Sequence, residues 1–436
     1  MASKRAETKK RRAVLVGGVR TPFLRAFTDF TKMSSYELGT AAVAGLLDAN
    51  PVKHADIDGV IWGAVIVGGS TVNVGREIVL ELKLPPTIEA TTVSRACTSS
   101  VLTTTLAVAA IERGEADVLI AGGSDSTSNA EVTMPQSLVH KAAPVVMSSK
   151  STWKDYLKLA TRLNLRKDLI PRQPSIRERT TGELMGESAE KMAAMNAIPR
   201  EEQDVFAAQS HRRAAQAVEA GRFADEIVPV KTPDGKTIYA DNIIRGDVTP
   251  EKLARLRPAF AEDGTLTAGN SSALTDGASA VLVMSEEKAE AYGFKKLAAF
   301  RGWSYDAVDP FDQLLLGPAV SMPRALARSG LTLDQIDLID IHEAFAAQVL
   351  CVLKALASDR FAQERLGLEK AFGRIEPESI NVHGGSLAFG HPFGATGTRM
   401  ITTMANELAM TDNKTALLGV CGQGGQSAGA VMEAVD

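Results

Sequence analysis

The first third of the chain alternates short apolar runs, rich in β-branched residues, with longer segments whose apolar residues recur at helical spacing. Strands are predicted at 13–18, 59–65 and 117–121, and helices at 35–50 and 100–113. Such alternation is typical of an α/β sheet layered with helices. The last third of the chain alternates in the same way, so the prediction of an α/β fold extends to both ends.

An internal repeat relates these two ends. The segment ADIDGVIWG at 55–63 corresponds to DQIDLIDIH at 334–342, and ADVLIAGG at 116–123 corresponds to TALLGVCG at 415–422. Between these pairs, Cys97 and His391 each stand just before a predicted helix. The three offsets are 279, 294 and 299 residues in the same order, which predicts two similar halves.

Residues 128–273 interrupt the alternation. They include a cationic segment at 150–179 with nine basic and three acidic residues, where Trp153, Leu157, Ala160 and Leu163 fall at helical spacing. A basic amphipathic helix binds a membrane surface, a partner subunit or an anionic ligand, but a solvated charged helix has the same pattern. Ordinary amphipathic helices are predicted at 181–194 and 200–220.

Composition narrows the class of protein. The 436 residues carry a formal net charge of -4, with 45% hydrophobic and 23% charged residues. This excludes a polycation that coats nucleic acid and predicts a globular protein with a hydrophobic core. No apolar run is long enough to cross a membrane, so a soluble, cytoplasmic protein is expected. We interpret the N-terminal MASKRAETKKRR as a short disordered basic leader rather than a targeting peptide, because no apolar region and cleavage signal follow it.

The three cysteines cannot all pair within the chain and form no CxxC motif, which indicates a reducing compartment. Cys97 precedes a predicted helix, where unpaired N–H groups and the helix dipole favour the thiolate. Cys421 ends an apolar run and enters a glycine-rich turn, where backbone can approach a ligand closely. Cys351 lies inside an apolar helical segment and is interpreted as a core residue.

Two histidines stand in settings that suit chemistry. His391 lies in the glycine-rich GGSLAFGHPFGATG, and His342 ends a predicted strand, whereas His54, His140 and His211 are interpreted as surface or core residues. Two presented thiols with one or two imidazoles suit covalent acyl transfer, in which a base activates one thiol and the other moves a proton at carbon. A zinc site remains open from residue types alone, but three separated glycine-rich loops favour a ligand tunnel without a metal.

At these residues the sequence resembles the thiolase family. The matching motifs stand in the family's order over essentially the whole chain: GGVRTPF at 17–23, SRACTSS at 94–100, AGGSDSTS at 121–128, LRPAF at 256–260, GTLTAGNSSALTDGAS at 264–279, HEAFA at 342–346, GGSLAFGHPFGATG at 384–397 and CGQGG at 421–425. The resemblance implies a thiolase-like fold of two α/β halves, each with a mixed five-stranded sheet layered with helices. The implied division is 1–127 with 274–295 for the N-terminal half, 128–273 for an inserted loop domain and 296–436 for the C-terminal half.

By position, the resemblance makes Cys97 the nucleophile that becomes acylated, His391 the base that activates it, and Cys421 the acid/base at the substrate α-carbon. His391 would serve one thioester oxygen together with a water. In the family that water is held by the residue at the position of His342, where many thiolases have Asn. The second oxyanion hole would use the backbone N–H groups of Cys97 and Gln423. Small residues are usual in the family at the position of Gln423.

For coenzyme A, the resemblance implies Arg245 for the adenine-nucleotide phosphates, Ser272 for the pantetheine, and Ala344 and Phe345 along the channel. Coenzyme A is a co-substrate, and no permanently bound cofactor is expected. The expected reaction is thiolytic cleavage of a 3-ketoacyl-CoA in fatty-acid β-oxidation, because the His342 variant resembles the β-subunits of trifunctional complexes. The implied partners are a second copy, as homodimer or homotetramer, and an enoyl-CoA hydratase/3-hydroxyacyl-CoA dehydrogenase subunit.

Three alternatives stay open from the sequence. One is a biosynthetic acetoacetyl-CoA thiolase. Another is a ketoacyl synthase, which shares the fold and a Cys-His-His set but needs no proton-shuttling thiol where Cys421 stands. The last is a scaffold subunit that assembles through 150–179, which the intact set of Cys97, His391 and Cys421 disfavours.

Overall fold

The computed structural model describes residues 11–171 and 177–435. Most of the predicted basic leader, at 1–10, and residues 172–176 of the cationic segment lie outside the described residues. The chain forms two compact units. The larger one combines the chain up to Asn129 with Glu178–Asp436, and the smaller one is Ala130–Arg177. The smaller unit is much shorter than the predicted loop domain at 128–273, whose boundaries stay a prediction.

The strands are β1 (Ala13–Arg20), β2 (Leu24–Arg25), β3 (Gly59–Gly63), β4 (Glu89–Val93), β5 (Val118–Ser126), β6 (Val230–Lys231), β7 (Thr237–Ile238), β8 (Thr275–Ser285), β9 (Ala299–Ala307), β10 (Leu338–Ile341), β11 (Thr415–Gly422) and β12 (Gln426–Glu433). The helices are α1 (Ser35–Ala49), α2 (Val74–Glu81), α3 (Ser99–Glu112), α4 (Gln136–Val146), α5 (Trp153–Arg162), α6 (Leu165–Asp168), α7 (Met185–Met195), α8 (Arg200–Glu219), α9 (Pro250–Leu253), α10 (Glu286–Tyr292), α11 (Pro310–Gln313), α12 (Pro318–Ser329), α13 (Ala346–Leu356), α14 (Asp359–Phe361), α15 (Ser386–Phe389) and α16 (Thr396–Met410).

The first sheet has the strand order β1-β8-β5-β3-β4, with the short β2 beside β8. It is mixed, because β3 runs parallel to β4 and β5 while β8 runs antiparallel to β1 and β5. Strands β5 and β8 are buried along their whole length, as their largely apolar sequences require. Since β8 follows residues 128–273 in the sequence, segments from both sides of this stretch share the sheet.

The second sheet, β10-β11-β12-β9, repeats the order of the first. Here too one pair is parallel, β10 with β11, and the pairs of β12 with β11 and with β9 are antiparallel. The prediction of two similar α/β halves with a thiolase-like fold is therefore confirmed. One detail needs correction, since the described residues form four strands in this sheet rather than the predicted five.

Asn381 explains the missing fifth strand beside β10. Its φ is +52°, so the chain leaves the extended conformation there. The Asn381 N–H donates to the Ile339 carbonyl, and the Ile341 N–H donates to the Asn381 side-chain oxygen at 2.8 Å. A side-chain amide thus replaces the hydrogen bonds that a fifth strand would supply.

Helices α3 and α16 meet in the middle of the larger unit. Gly397 permits their close approach, because a β-carbon at that position would lie 2.8 Å from the Val101 nitrogen. The Thr398 N–H donates to Ser100 Oγ at 2.9 Å. Apolar residues of both helices share one core cluster with residues of both sheets. The turns that precede α3 and α16, which carry Cys97 and His391, are therefore brought to one place.

The smaller unit contains α4, α5 and α6. Asp168 accepts hydrogen bonds from Lys141 Nζ and the Asn164 N–H, both at 2.7 Å. These donors lower the pKa of its carboxyl group to about 2. Large apolar side chains of the unit are more than one-third exposed: Val132, Met134, Val139, Val146, Met147, Trp153, Tyr156, Leu157, Leu165, Leu169 and Ile170.

Throughout the described chain, no helix combines the length and apolar character that a membrane span needs.

Candidate active site

Cys97 lies in a sharp turn between β4 and α3. Ala96 has a φ of +48°, a left-handed value that costs a residue with a β-carbon about 1 kcal/mol or more. Ser99 stabilises this turn, because its hydroxyl donates to the Ala96 carbonyl at 2.6 Å and accepts the Arg95 N–H at 2.8 Å. The turn presents Cys97 beside the N-terminus of α3 with its side chain only partly buried.

The Cys97 thiol is neutral at rest. Desolvation raises its pKa to about 12, and the Asp125 carboxylate also acts to raise it, while hydrogen bonding from the backbone N–H groups of Gln423 and Cys97 acts to lower it. The backbone donors thus act in the direction expected for a helix N-terminus, but desolvation outweighs them in the resting protein. The low dielectric around the sulfur disfavours its charge more strongly than these donors favour it.

Cys421 lies next to Cys97. It is one residue from the end of β11 and 1% exposed, and both burial and the Cys97 charge raise the pKa of its thiol well above the ordinary value. A β-carbon on Gly422 would stand 3.5 Å from the Cys97 nitrogen, so the end of β11 packs against the Cys97 turn. The structure thus brings together the two predicted reactive thiols and directs the two predicted oxyanion-hole N–H groups, of Cys97 and Gln423, at the Cys97 sulfur.

His342 and His391 form a pair of buried imidazoles with ring centroids 4.2 Å apart. The His342 N–H donates to the Gly419 carbonyl at 2.8 Å, which places the residue directly after β10. The His391 N–H donates to Thr275 Oγ1 at 3.0 Å. In the described chain, the Nδ1 atoms contact Ser386 Oγ and Thr396 Oγ1, respectively, and neither Nε2 atom has a hydrogen-bond partner.

Both imidazoles are uncharged. Burial lowers the pKa of His391 to about 3, and the Arg399 guanidinium acts in the same direction. Burial also lowers the pKa of His342 far below its ordinary value, with further contributions from His391 and Arg399. Two neutral rings with unpartnered Nε2 atoms are suited to accept a proton from a thiol and to donate to a substrate oxygen.

Asp125 joins the Cys97 region to the loop of His391. Its carboxylate accepts the N–H groups of Val65, Ile66 and Gly394 at 3.0, 2.6 and 2.6 Å. Burial nevertheless raises its pKa to about 7. Gly123, within β5, allows the loop to lie close, since a β-carbon there would stand 2.1 Å from the Gly394 carbonyl oxygen.

Three of the four residues predicted to contact coenzyme A are neighbours. The Ser272 N–H donates to the Ala344 carbonyl at 3.0 Å, and Phe345 packs edge-to-face on Phe260 with centroids 5.8 Å apart. Ala344 and Phe345 are both 8% exposed. Arg245 lies on an exposed loop, where its N–H donates to His211 Nδ1 at 3.3 Å. The structure thus groups the proposed pantetheine and channel residues, and it leaves the Arg245 side chain in solvent.

Sequence reasoning missed several buried polar residues around the site. They are Asp125, Glu178, Glu343, Ser386 and Arg399. Three of them lie inside motifs that the sequence displays, and Arg399 follows one of these motifs by two residues, so proximity to a motif was a usable signal. Glu178 carries no such signal, because its contact with the site is made only in the folded chain.

Glu343 ties the HEAFA loop to its surroundings. Its carboxylate accepts hydrogen bonds from Ser210 Oγ, Asn381 Nδ2 and the Leu387 N–H at 2.7, 2.7 and 3.1 Å. These contacts link the loop after β10 to α8 and to the segment before His391. Among the described residues, no cluster of three or more His, Cys, Asp or Glu side chains is arranged to hold a metal ion.

The fold and the site define a class of enzyme, in which paired cysteines and histidines transfer acyl groups. The family model for the N-terminal domain of thiolase matches residues 13–287, and that for the C-terminal domain matches residues 294–434. The chain therefore belongs to the thiolase family.

Relatives and solved structures agree with this assignment. The chain is 42% identical to 3-ketoacyl-CoA thiolases of Yersinia pestis and Yersinia pseudotuberculosis over 425 residues, which cover 97% of each protein. The crystal structure of the Bacillus anthracis acetyl-CoA acetyltransferase superposes with a TM-score of 0.83 at 30% identity, covering 98% of this chain and 99% of that one. Human mitochondrial 3-ketoacyl-CoA thiolase superposes with a TM-score of 0.82 at 29% identity, covering 98% and 100%.

Proposed function

We propose that the protein cleaves 3-ketoacyl-CoA with coenzyme A, releasing acetyl-CoA and an acyl-CoA that is two carbons shorter. The observation that carries this proposal is the grouping of Cys421 and the N–H groups of Cys97 and Gln423 around the Cys97 sulfur. The names and 42% identity of the Yersinia relatives support the degradative reaction over the alternatives.

In the proposed first half-reaction, Cys97 Sγ attacks the C3 carbonyl while His391 Nε2 takes the thiol proton. The Cys97 and Gln423 N–H groups stabilise the developing oxyanion. Reformation of the carbonyl breaks the C2–C3 bond and leaves an acyl group on Cys97. The departing enolate of acetyl-CoA is stabilised at its thioester oxygen by His342 and His391, and Cys421 protonates its carbon.

In the proposed second half-reaction, the Cys421 thiolate takes the proton of the coenzyme A thiol. The coenzyme A sulfur attacks the acyl carbon, and Cys97 departs and recovers its proton from His391. Arg245, Ser272, Ala344 and Phe345 are the proposed coenzyme A contacts. Because both thiols and both imidazoles begin and end neutral, charge appears in the buried site only during the chemical steps.

The test is coenzyme A-dependent loss of 3-ketoacyl-CoA substrates of short, medium and long chain with wild type, Cys97→Ala and Cys351→Ala. Cys351 is a matched control, because it is a buried cysteine in α13 whose thiol contacts the Met192 carbonyl. Activity that rises with chain length, persists in Cys351→Ala and vanishes in Cys97→Ala supports the proposal. Activity confined to acetoacetyl-CoA indicates the biosynthetic reaction, and no thiolysis of any substrate overturns the proposal.

We also propose a cytoplasmic location and a homodimeric or homotetrameric state. The described chain has three free cysteines, and a catalytic thiol pair functions where cysteines stay reduced. Light scattering of the purified protein measures the number of copies, and a monomer that retains full activity would contradict the proposed assembly. A hydratase/dehydrogenase subunit that co-purifies would identify the proposed hetero-oligomer.

The smaller unit, Ala130–Arg177, is our proposed docking surface for an anionic membrane. Helix α5 exposes Trp153, Tyr156 and Leu157, and Lys154 and Lys158 lie on the same helix. Apolar side chains beside cations favour binding to an anionic bilayer surface. Replacing Lys154, Lys158, Arg162 and Arg166 by Glu should abolish sedimentation with anionic vesicles, whereas Lys83, Lys231 and Lys370 replaced by Glu should not. Unchanged vesicle binding in the first variant overturns the membrane proposal. The proposal is also overturned if the wild-type protein binds a partner subunit but no vesicles.

A further inference from the structure

We infer that Ser386 and Arg399 are positioning residues that fix His342 in the tautomer with its proton on Nε2. The inference rests on the proposed function only for its catalytic consequence. The hydrogen bonds that assign the tautomer stand in the structure itself. Ser386 Oγ lies 3.0 Å from His342 Nδ1 and 3.4 Å from Arg399 Nη2.

The assignment follows from hydrogen-bond accounting at the Ser386 hydroxyl. A guanidinium has donors and no acceptor, so Arg399 donates and Ser386 Oγ accepts in that contact. Ser386 is fully buried, and its hydroxyl proton needs an acceptor. His342 Nδ1 is the neighbouring acceptor, and it can accept only when it carries no proton. The neutral ring then carries its proton on Nε2.

The opposite tautomer leaves a polar group unsatisfied. If His342 Nδ1 carried the proton, Ser386 Oγ would accept from both His342 and Arg399. Its own hydroxyl proton would then have no acceptor among the residues that the structure describes. The first arrangement leaves only the His342 Nε2–H without a partner in the described chain, whereas the opposite tautomer leaves both the Ser386 hydroxyl proton and Nε2 unsatisfied, so hydrogen-bond accounting favours the first.

Arg399 is held in place by a second charge. Its Nη1 lies 3.7 Å from Asp340 Oδ2, and its guanidinium packs over the Phe389 ring at 5.5 Å from the centroid. Arg399 and Asp340 are 3% and 2% exposed. The cation therefore stays beside Ser386 as a permanent donor, and the hydroxyl keeps its orientation toward His342.

The consequence is a division of roles between the two imidazoles. His342 Nε2–H is a donor before any proton moves, which suits the enolate oxygen of the departing thioester. His391 Nε2 is left to accept the Cys97 proton. An asparagine amide at position 342 would donate a hydrogen bond in any case, because it has no tautomers. A histidine at this position donates from Nε2 only in one tautomer, and Ser386 and Arg399 favour that tautomer.

The direct test is the ¹⁵N resonances of histidine-labelled wild-type protein, with the His342 signals assigned by their loss in His342→Asn. We expect His342 Nδ1 to show the shift of an unprotonated nitrogen and Nε2 that of a protonated one. The reverse pattern in wild type overturns the inference. This measurement needs no enzymatic activity, so it remains decisive if the proposed thiolase function fails.

The functional test compares Ser386→Ala, Ser386→Asp and the control Ser321→Ala, a buried serine in α12. A carboxylate accepts only, so Ser386→Asp should hold the proton on Nδ1 and turn Nε2 into an acceptor. We expect kcat to fall about 100-fold in Ser386→Asp and about tenfold in Ser386→Ala. KM, the alkylation rate of Cys97 and the activity of Ser321→Ala should stay unchanged.

Two results contradict this functional consequence. One is Ser386→Asp with wild-type kcat and a His342 proton on Nδ1. The other is an equal loss of kcat and of Cys97 alkylation, which indicates general disruption of the site. Arg399→Met should be tested in combination with Asp340→Asn, because the double variant removes both charges of the Arg399–Asp340 contact together. The double variant should show a mixed His342 tautomer, and a pure Nε2–H form there excludes Arg399 from the mechanism.

Discussion

Glu178 accepts a hydrogen bond from the backbone N–H of Gly424, with 2.9 Å between Oε2 and the nitrogen. Gly424 follows Gln423, whose own N–H is directed at the Cys97 sulfur. Glu178 is 6% exposed, and its other carboxylate oxygen accepts the Thr180 N–H at 3.2 Å. A buried carboxylate far away in the sequence therefore holds the turn that carries one donor of the proposed oxyanion hole.

Loss of this carboxylate should slow the reaction without changing substrate affinity. In Glu178→Ala the Gly424 N–H loses its acceptor and the Gln423 N–H can move, so we expect kcat to fall about 10- to 100-fold. Glu178→Gln retains an oxygen acceptor and should lose much less. Steady-state kinetics of both variants measure the effect, and equal kcat in Glu178→Ala and wild type would exclude this role.

Cys421→Ser should separate the acylation of Cys97 from the proton transfers at the substrate carbon and at the coenzyme A thiol. A serine hydroxyl is a much weaker acid than a thiol, so protonation of the enolate carbon and deprotonation of coenzyme A should both slow. We expect kcat for thiolysis to fall by about 100-fold or more, while Cys97 still becomes acylated. Mass spectrometry of the quenched protein detects the acyl group, and cleavage at the wild-type rate would reject the proton-shuttle role.

Alkylation of Cys97 by iodoacetamide should report a neutral resting thiol. Because the pKa is raised to about 12, the thiolate fraction grows as the pH rises, and the rate should increase about tenfold per pH unit. Because the pKa of His391 is lowered to about 3, its titration should add no step to the pH profile of the alkylation rate between about pH 5 and pH 8. Cys97→Ala supplies the background rate. A plateau reached near neutral pH would instead indicate a thiolate–imidazolium pair.

Gly123→Ala should disturb the His391 loop. The added β-carbon would lie 2.1 Å from the Gly394 carbonyl oxygen and 2.9 Å from that of Gly63, so one of these backbone segments must move. Overpacking of this kind costs about 1–3 kcal/mol of the free energy of unfolding. We expect a lower denaturation midpoint together with reduced kcat. An unchanged midpoint would show that the loop yields without cost.

Much of the fold followed from patterns along the chain. The helix predicted at 35–50 is observed as Ser35–Ala49, and the one at 200–220 as Arg200–Glu219. The repeat offsets correctly related the two sheets, because each half must bury the same alternation of strands and helices. The prediction of a fifth strand in the second sheet was wrong. The positive φ of Asn381 and its side-chain hydrogen bonds leave no pattern in the hydrophobic positions of the sequence.

The sequence by itself determined the α/β class, the duplicated architecture and the residue types available for acyl transfer, because hydrophobic periodicity and motif order are properties of the chain alone. The tertiary structure decided the electrostatics. Only folding desolvates the Cys97 sulfur and brings Asp125 near it, and the resulting rise in the pKa of the thiol outweighs the donors at the helix N-terminus. Only folding brings Glu178 to Gly424 and Arg399 to Ser386, because hydrogen bonds and desolvation depend on distances of a few ångströms between residues far apart in the chain.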